Sequence, residues 1–285
     1  MRPDTPVRRL LQRQGVRPCR ALGQCFLEDP QVLQREVAYS ELQGTETVLE
    51  IGPGPGILTE RLAAGAGRVV AVEKDPAFAA LLAQVQARCP NLEVVWGDAL
   101  QVDLPAFDTV VGNLPYRVAL PLVFRLLERR FARAVLLLQE SLARRLCASV
   151  AEPGYSRLSV SVGRVADTEF LEVVPRRAFY PQPEVDSALV RLRRRRPRFS
   201  VPAEPYFRRL LESLFAQREA PLEQALRQVQ DPALAPGATQ AGLARLGGRA
   251  GSRPVCRLTP AQFGALAWAL WQAGDRGDPA AATAD

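Results

Sequence analysis

Asn113-Leu114-Pro115-Tyr116 sets a side-chain amide, a main-chain carbonyl, a proline and an aromatic ring side by side. An amine attached to a purine has its lone pair conjugated into the ring. Two acceptors on its N–H groups pull it toward tetrahedral geometry and free the lone pair. The Asn113 side-chain oxygen and the Leu114 carbonyl suit that task. Pro115 removes a backbone donor and stiffens the turn, and Tyr116 can stack on a purine face. The chemistry this serves is methyl transfer to an exocyclic amine, which needs orientation more than a strong base. The chain contains no histidine, which excludes Ser-His-Asp, Cys-His and histidine general-base mechanisms. The competing reading is an ordinary polar turn with a proline.

A second group of residues could hold the methyl donor. Thr47–Ile51 runs into Gly52-Pro53-Gly54-Pro55-Gly56, where glycines let the backbone approach a ligand and a helix N-terminus offers unpaired N–H groups. A dinucleotide fingerprint would need glycine at 57, where the chain has Ile57. Glu73, about 20 residues beyond the loop, can accept hydrogen bonds from both hydroxyls of a ribose. Asp98, in Gly97-Asp98-Ala99, can accept one from an adenine amino group. Each acid alone equally suits a turn or a helix cap. All three sites follow successive strand ends, on the ligand-binding edge of a parallel sheet. A ribose and an adenine without a pyrophosphate fit S-adenosylmethionine better than NAD.

The elements that must position these residues alternate. Residues 47–51, 68–73, 92–96 and 107–112 read as β-branched strands, separated by helical segments near 57–64 and 76–88. A helix near 119–129 and a buried strand at 133–139 follow. Residues 168–174 and 187–193 then read as a closing hairpin, the last an edge strand. The pattern predicts an α/β fold: a Rossmann-like sheet with helices on both faces, over residues 1–195, preceded within that span by a basic extension at 1–21. Residues 193–205, an arginine run with prolines, read as a linker. Beyond it, 206–230 and 259–272 read as helices of a small C-terminal α-helical domain over 196–285, with a frayed tail.

The formal charge of +7 comes almost wholly from arginine, since Lys74 is the sole lysine. A GC-rich genome and a phosphate-binding surface both account for that. The five cysteines (Cys19, Cys25, Cys89, Cys147, Cys256) form no C-x-x-C pair and read as reduced structural thiols, and no metal site is expected. The first residues lack the apolar core of a signal peptide, and no apolar run of about 18 residues occurs, so a cytoplasmic protein is expected.

The motifs LGQCFL (22–27), LEIGPGPGILT (49–59), VVAVEKD (69–75), GDAL (97–100), NLPY (113–116) and FYPQPEVDSALV (179–190) occur in this order. Together they resemble the ribosomal small-subunit adenine dimethyltransferase family, over roughly residues 20–195. The resemblance implies dimethylation of the N6 amine of adjacent adenosines in a loop near the 3′ end of small-subunit ribosomal RNA, with a role in small-subunit biogenesis. Its partners would be that RNA and the immature small subunit, with no membrane, and it would act as a monomer. Gln24, Cys25 and Leu27 would lie over the methionine part of S-adenosylmethionine. Glu50, Gly52, Gly54 and Gly56 would form the cofactor loop, Glu73 would bind the ribose, and Asp98 and Ala99 the cofactor adenine. Asn113, at the meeting of cofactor and substrate, would hold the target amine with Leu114, Pro115 and Tyr116, and Phe179 would stack on the base opposite Tyr116. A core aromatic is the other reading of Phe179. Cys25 stands where many members have asparagine. Residues 215–223 carry two acids and a proline where members carry cations. Arg8, Arg9, Arg13, Arg17 and Arg20, with Arg191 and Arg193–Arg196, could supply positive potential instead. Two other readings stay open: a non-catalytic RNA-binding, assembly or transcription factor that keeps the fold, and an enzyme for large-subunit RNA or DNA.

Overall fold

The computed structural model describes residues 6–231, 234, 239–247 and 249–274. They divide into two compact units, residues 1–144 with 167–194 and residues 145–166 with 195–285.

The first unit is built on a seven-stranded sheet. In chain order its strands are β2 (Thr47–Ile51), β3 (Arg68–Glu73), β4 (Leu92–Trp96), β5 (Thr109–Asn113), β6 (Arg133–Gln139), β7 (Ala166–Val174) and β9 (Ser187–Arg194). A separate pair joins β1 (Phe26–Leu27) to β8 (Phe179–Tyr180). The sheet order is β4-β3-β2-β5-β6-β9-β7. The first five of these strands are parallel, and β9 is antiparallel to β6. Successive residues of a strand face opposite sides of a sheet. Val48 and Leu49, Val69 and Val70, and Val110 and Val111 are all fully buried, so both faces are covered. That double burial is why these strands read as unbroken apolar runs rather than alternating ones. The chain walks outward from β2 through β3 to β4, then returns to the other side of β2 with β5. The reversal leaves a crevice beyond the C-terminal ends of β2 and β5.

Helices α3 (Ile57–Gly65), α4 (Ala79–Arg88) and α5 (Ala119–Leu127) connect the strands, close to their expected places. Helix α6 (Glu140–Cys147) and two helices that precede β2 carry no expectation from the sequence. In α1 (Pro6–Arg13), Val7 and Leu11 are buried against Phe78, Leu81 and Leu82. Residues 6–13 of the basic extension therefore form a packed amphipathic helix, and Arg9, Arg13, Arg17 and Arg20 are left exposed. In α2 (Pro30–Ser40), the Asp29 carboxylate accepts from the Gln31 and Val32 N–H groups, and Pro30 fills a first-turn position whose N–H has no helical partner.

The second unit departs from the expected boundaries. Residues 145–166 belong to it, because Tyr155 and Val160, near and within α7 (Arg157–Val165), are buried with Phe207, Leu210 and Phe263 in one apolar cluster. The helix expected over 206–230 is two helices, α8 (Glu204–Phe215) and α9 (Leu222–Arg227). Pro221 caps the second and cannot continue the first. Helices α10 (Thr239–Leu246) and α11 (Pro260–Ala273) complete the unit, the latter opened by a Thr259/Gln262 capping box. The arginine run is ordered rather than a loose linker. Strand β9 extends through Arg194, and the Arg195 guanidinium donates to the carbonyls of Gly163 and Arg164. Residues 275–285, most of the tail expected to fray, lie outside the described residues. Among the described residues, no helix is long and apolar enough to cross a membrane.

Candidate active site

The crevice at the reversal point is a cleft of about 290 Å³. Its lining draws together Gln24, Cys25, Leu27, Glu50, Gly52, Gly54, Glu73, Asp98, Ala99, Asn113, Leu114, Pro115, Tyr116 and Phe179. Of the residues assigned to the cofactor and the target amine from sequence, only Gly56 does not line it. Gly56 faces α4: a Cβ there would meet the Val85 side chain at 2.7 Å, at a φ of 81°. Its requirement is a left-handed turn into α3 and tight packing, not ligand contact.

Gly54 has φ 53°, and a Cβ would fall 2.7 Å from the Phe26 ring, which closes the cleft from β1. Its N–H donates to Glu73 Oε2 at 3.0 Å. Glu73 Oε1 accepts from the N–H groups of Lys74 at 2.8 Å and Asp75 at 2.7 Å. This carboxylate at the end of β3 is buried and held from three sides by main chain. Burial raises its pKa, and the three N–H groups oppose the rise. Oε1 already accepts two N–H groups, whereas Oε2 accepts one and retains acceptor capacity for a ligand hydroxyl.

Asp98 follows β4. Its Oδ2 pairs with Lys74 Nζ at 2.7 Å and its Oδ1 accepts from the Leu100 N–H at 2.9 Å; the bond from Lys74 is the main reason its pKa is lowered. Glu50, beneath the glycine loop, is almost fully buried, and its Oε2 has no hydrogen-bond partner within the protein. Desolvation pushes its pKa up to about 8, with the Glu73 charge adding to the rise. Gln24 is engaged on both sides: its Nε2 donates to Asp75 Oδ2 and its Oε1 accepts from the Cys19 N–H, each at 2.7 Å. Burial raises the Cys25 thiol pKa.

The tetrapeptide begins on the last residue of β5. The Leu114 N–H donates to the Leu137 carbonyl at 3.2 Å, and the Val118 N–H to the Pro115 carbonyl at 3.0 Å, so the segment leaves the sheet as a closed turn. The Tyr116 hydroxyl shares a 2.5 Å hydrogen bond with Ser187 Oγ, which is fully buried at the start of β9, and burial raises the phenol pKa. Phe179 is a core aromatic whose position also reaches the cleft. It is 4% exposed within the main apolar cluster, opposite Leu27 in the β1–β8 pair, and it also lines the cleft.

The arginines expected to lend positive potential are partly spent. Arg191 pairs with Glu41 and Glu169, Arg193 pairs with Glu41, and Arg194 lies over the Phe131 ring. Sequence reasoning missed Phe26, Lys74 and Arg117 as cleft residues. Lys74 had a signal, as the sole lysine and the neighbour of Glu73.

The model of the family described as Ribosomal RNA adenine dimethylase matches residues 18–244. A Haloarcula marismortui protein named as a probable ribosomal RNA small subunit methyltransferase A is 41% identical over 283 residues, 95% of each chain. A Methanothermobacter thermautotrophicus protein of the same name is 43% identical over 227 residues, 79% of this chain and 80% of its own. Among solved structures, a dimethyladenosine transferase from Plasmodium falciparum is 25% identical at a TM-score of 0.74, covering 88% of this chain and 98% of that one. The 23S rRNA methyltransferase ErmE is 32% identical at a TM-score of 0.67, covering 86% of this chain and 99% of that one. A parallel sheet with an acid ending β3, another following β4 and an Asn-Leu-Pro-Tyr turn that starts on the last residue of β5, in a chain matched almost end to end by the Haloarcula relative, makes this chain a member of the ribosomal RNA adenine dimethylase family.

Proposed function

We propose that this chain uses S-adenosylmethionine to dimethylate the N6 amine of adjacent adenosines in a loop near the 3′ end of small-subunit ribosomal RNA. It acts as a cytoplasmic monomer on the immature small subunit and serves that subunit's biogenesis. The observation that carries the reading is the placement of Asn113 and the Leu114–Tyr116 turn in one cleft with Glu73 and Asp98.

The donor set of the cleft fits S-adenosylmethionine. Glu73 suits the ribose hydroxyls, and Asp98 with Ala99 suits the adenine. Glu50, with its unpartnered buried oxygen, suits a cationic or N–H-bearing group. Gln24, Cys25 and Leu27 wall the methionine end, and Gly52 and Gly54 let the main chain come close. A pyrophosphate would meet these carboxylates and be repelled. When bound, the cofactor supplies an electrophilic methyl group on a sulfonium.

The chain's own residues do the rest. Asn113 Oδ1 and the Leu114 carbonyl accept the two N–H groups of the target amine and turn its lone pair outward. Tyr116, tethered by Ser187, offers one face for the base, and Phe179 the other. Pro115 keeps the turn rigid. The proton lost after transfer passes to water, so no imidazole is required. Loop adenines are unpaired, which lowers the cost of drawing one into the cleft.

The test is transfer of labelled methyl groups to immature small subunits, read as labelled N6,N6-dimethyladenosine. A folded protein that yields none overturns the reading. The likeness to ErmE favours running large-subunit RNA beside it, and label appearing only there would reassign the substrate.

A further inference from the structure

Glu36 sits on α2, outside all the motifs that mark the cleft, and is wholly buried. A carboxyl group survives in an apolar core when a donor meets it. Its donor is Asn113. With Nδ2 turned toward Glu36, the Asn113 amide donates to Oε1 at 2.9 Å and lies 3.3 Å from Oε2. The reverse orientation would set Asn113 Oδ1 against two acceptor oxygens. The satisfied orientation turns Oδ1 away from Glu36. Asn113 lines the cleft and Glu36 does not.

The orientation matters because an asparagine amide is nearly symmetric in shape and opposite in chemistry at its two ends. An Asn113 free to rotate would present N–H groups to the target amine for part of the time, and those repel its hydrogens. We propose that Glu36 is a positioning residue whose buried carboxyl grips the Nδ2 hydrogens of Asn113 and so commits the amide oxygen to the target amine. This rests on the assignment of Asn113 as an acceptor for that amine. Glu36 itself touches neither substrate nor cofactor. Burial and the nearby Glu50 raise its pKa; a protonated Glu36 could donate to Oδ1 in the reverse orientation, but Nδ2 would then face only donors. The experiment separates the two arrangements.

The chain has two asparagines, Asn91 and Asn113, so selective ¹⁵N-asparagine labelling gives signals from two side-chain amide groups, a pair for each. Asn91 Nδ2 donates to the Ala63 and Ala66 carbonyls at 2.9 and 3.0 Å and serves as the internal reference. In the full-length protein the Asn113 amide is expected to be protected from hydrogen exchange. Glu36→Met should raise its exchange about tenfold or more while leaving Asn91 unchanged. Methyl transfer at saturating cofactor should fall about 10–100-fold in Glu36→Met, with S-adenosylmethionine affinity held within about twofold. Glu36→Gln, which keeps an acceptor oxygen, should recover to within about threefold of the natural rate. In an Asn113→Ala background, Glu36→Met should cost less than about twofold more, because it acts only through Asn113. An Asn113 amide that exchanges like a free one in the unaltered protein overturns the proposal. So does a folded Glu36→Met variant with undiminished transfer, or a loss that adds fully to that of Asn113→Ala. If Glu36→Met does not fold, the labelled natural protein decides alone. Failure of the unaltered protein to methylate RNA would strike the functional reading and leave the amide measurement standing.

Discussion

The two ends of the cleft are held by different means. At the donor end, Glu73 is fixed by main-chain N–H groups of Gly54, Lys74 and Asp75, and Asp98 by the Leu100 N–H and Lys74. At the acceptor end, Asn113 is held by Glu36 and Tyr116 by Ser187, each through one side chain distant in sequence. Main-chain anchors come with the turns that follow the strands and cannot be removed by changing a neighbour's side chain. Side-chain anchors are each one substitution from loss. Apart from the Lys74–Asp98 pair, the donor end should therefore be robust and the acceptor end fragile, with effects that separate between binding and transfer.

The sharpest way to break this comparison is Asn113→Ala. Transfer is expected to fall about 10²–10³-fold, while S-adenosylmethionine affinity by calorimetry stays within about twofold. An equal loss of affinity would show that the two ends are not separate. Glu73→Ala should do the reverse. Removing two charge-assisted acceptors is expected to weaken cofactor binding about 10–100-fold, and transfer at saturating cofactor should change much less. A smaller effect is expected from Tyr116→Phe, which breaks only the tether to Ser187. A loss of about fivefold in kcat/KM for RNA should be matched by Ser187→Ala, with cofactor affinity unchanged. If the two variants differ widely, Tyr116 is held by something other than this bond.

The smallest effect concerns pH. Glu50 rises from 4.5 to about 8 on folding, because burial disfavours its charge. A carboxyl whose folded pKa is raised binds its proton more tightly in the native state. It therefore lends stability at low pH that is lost as the pH climbs from about 4.5 toward 8. The cofactor-free protein should show a Tm that declines over this window, and Glu50→Gln should flatten the decline. A slope unaltered by that change would mean Glu50 is charged throughout.

Much of the sheet was legible because its signals are local. Thr47–Ile51 and Arg68–Glu73 are β-branched and apolar along their length, as strands covered on both faces must be. Glycines in sequence with a following acid marked the donor end for the same reason. The misses fall where contacts are long-range. The α1 helix is short and arginine-rich, and only its packing of Val7 and Leu11 on Phe78 shows that it belongs to the body of the unit. The membership of residues 145–166 in the helical unit depends on where Tyr155 and Val160 find apolar partners, which no local pattern states. Gly56 shared the spacing of Gly52 and Gly54, and its different duty follows from Val85 standing behind it.

The sequence alone determined the strand and helix alternation, the glycine turn, the acids at the strand ends and the Asn-Leu-Pro-Tyr turn. These depend on residue type and spacing along a few consecutive positions, where backbone preference and side-chain period act directly. Tertiary structure alone decided that β1 meets β8, that the two aromatic-bearing motifs wall one cleft, and that a buried glutamate on α2 meets the asparagine at the end of β5. Those pairings join segments far apart in the chain. Their stability comes from burial and from satisfying a polar group that water can no longer reach, and neither exists until the chain has folded.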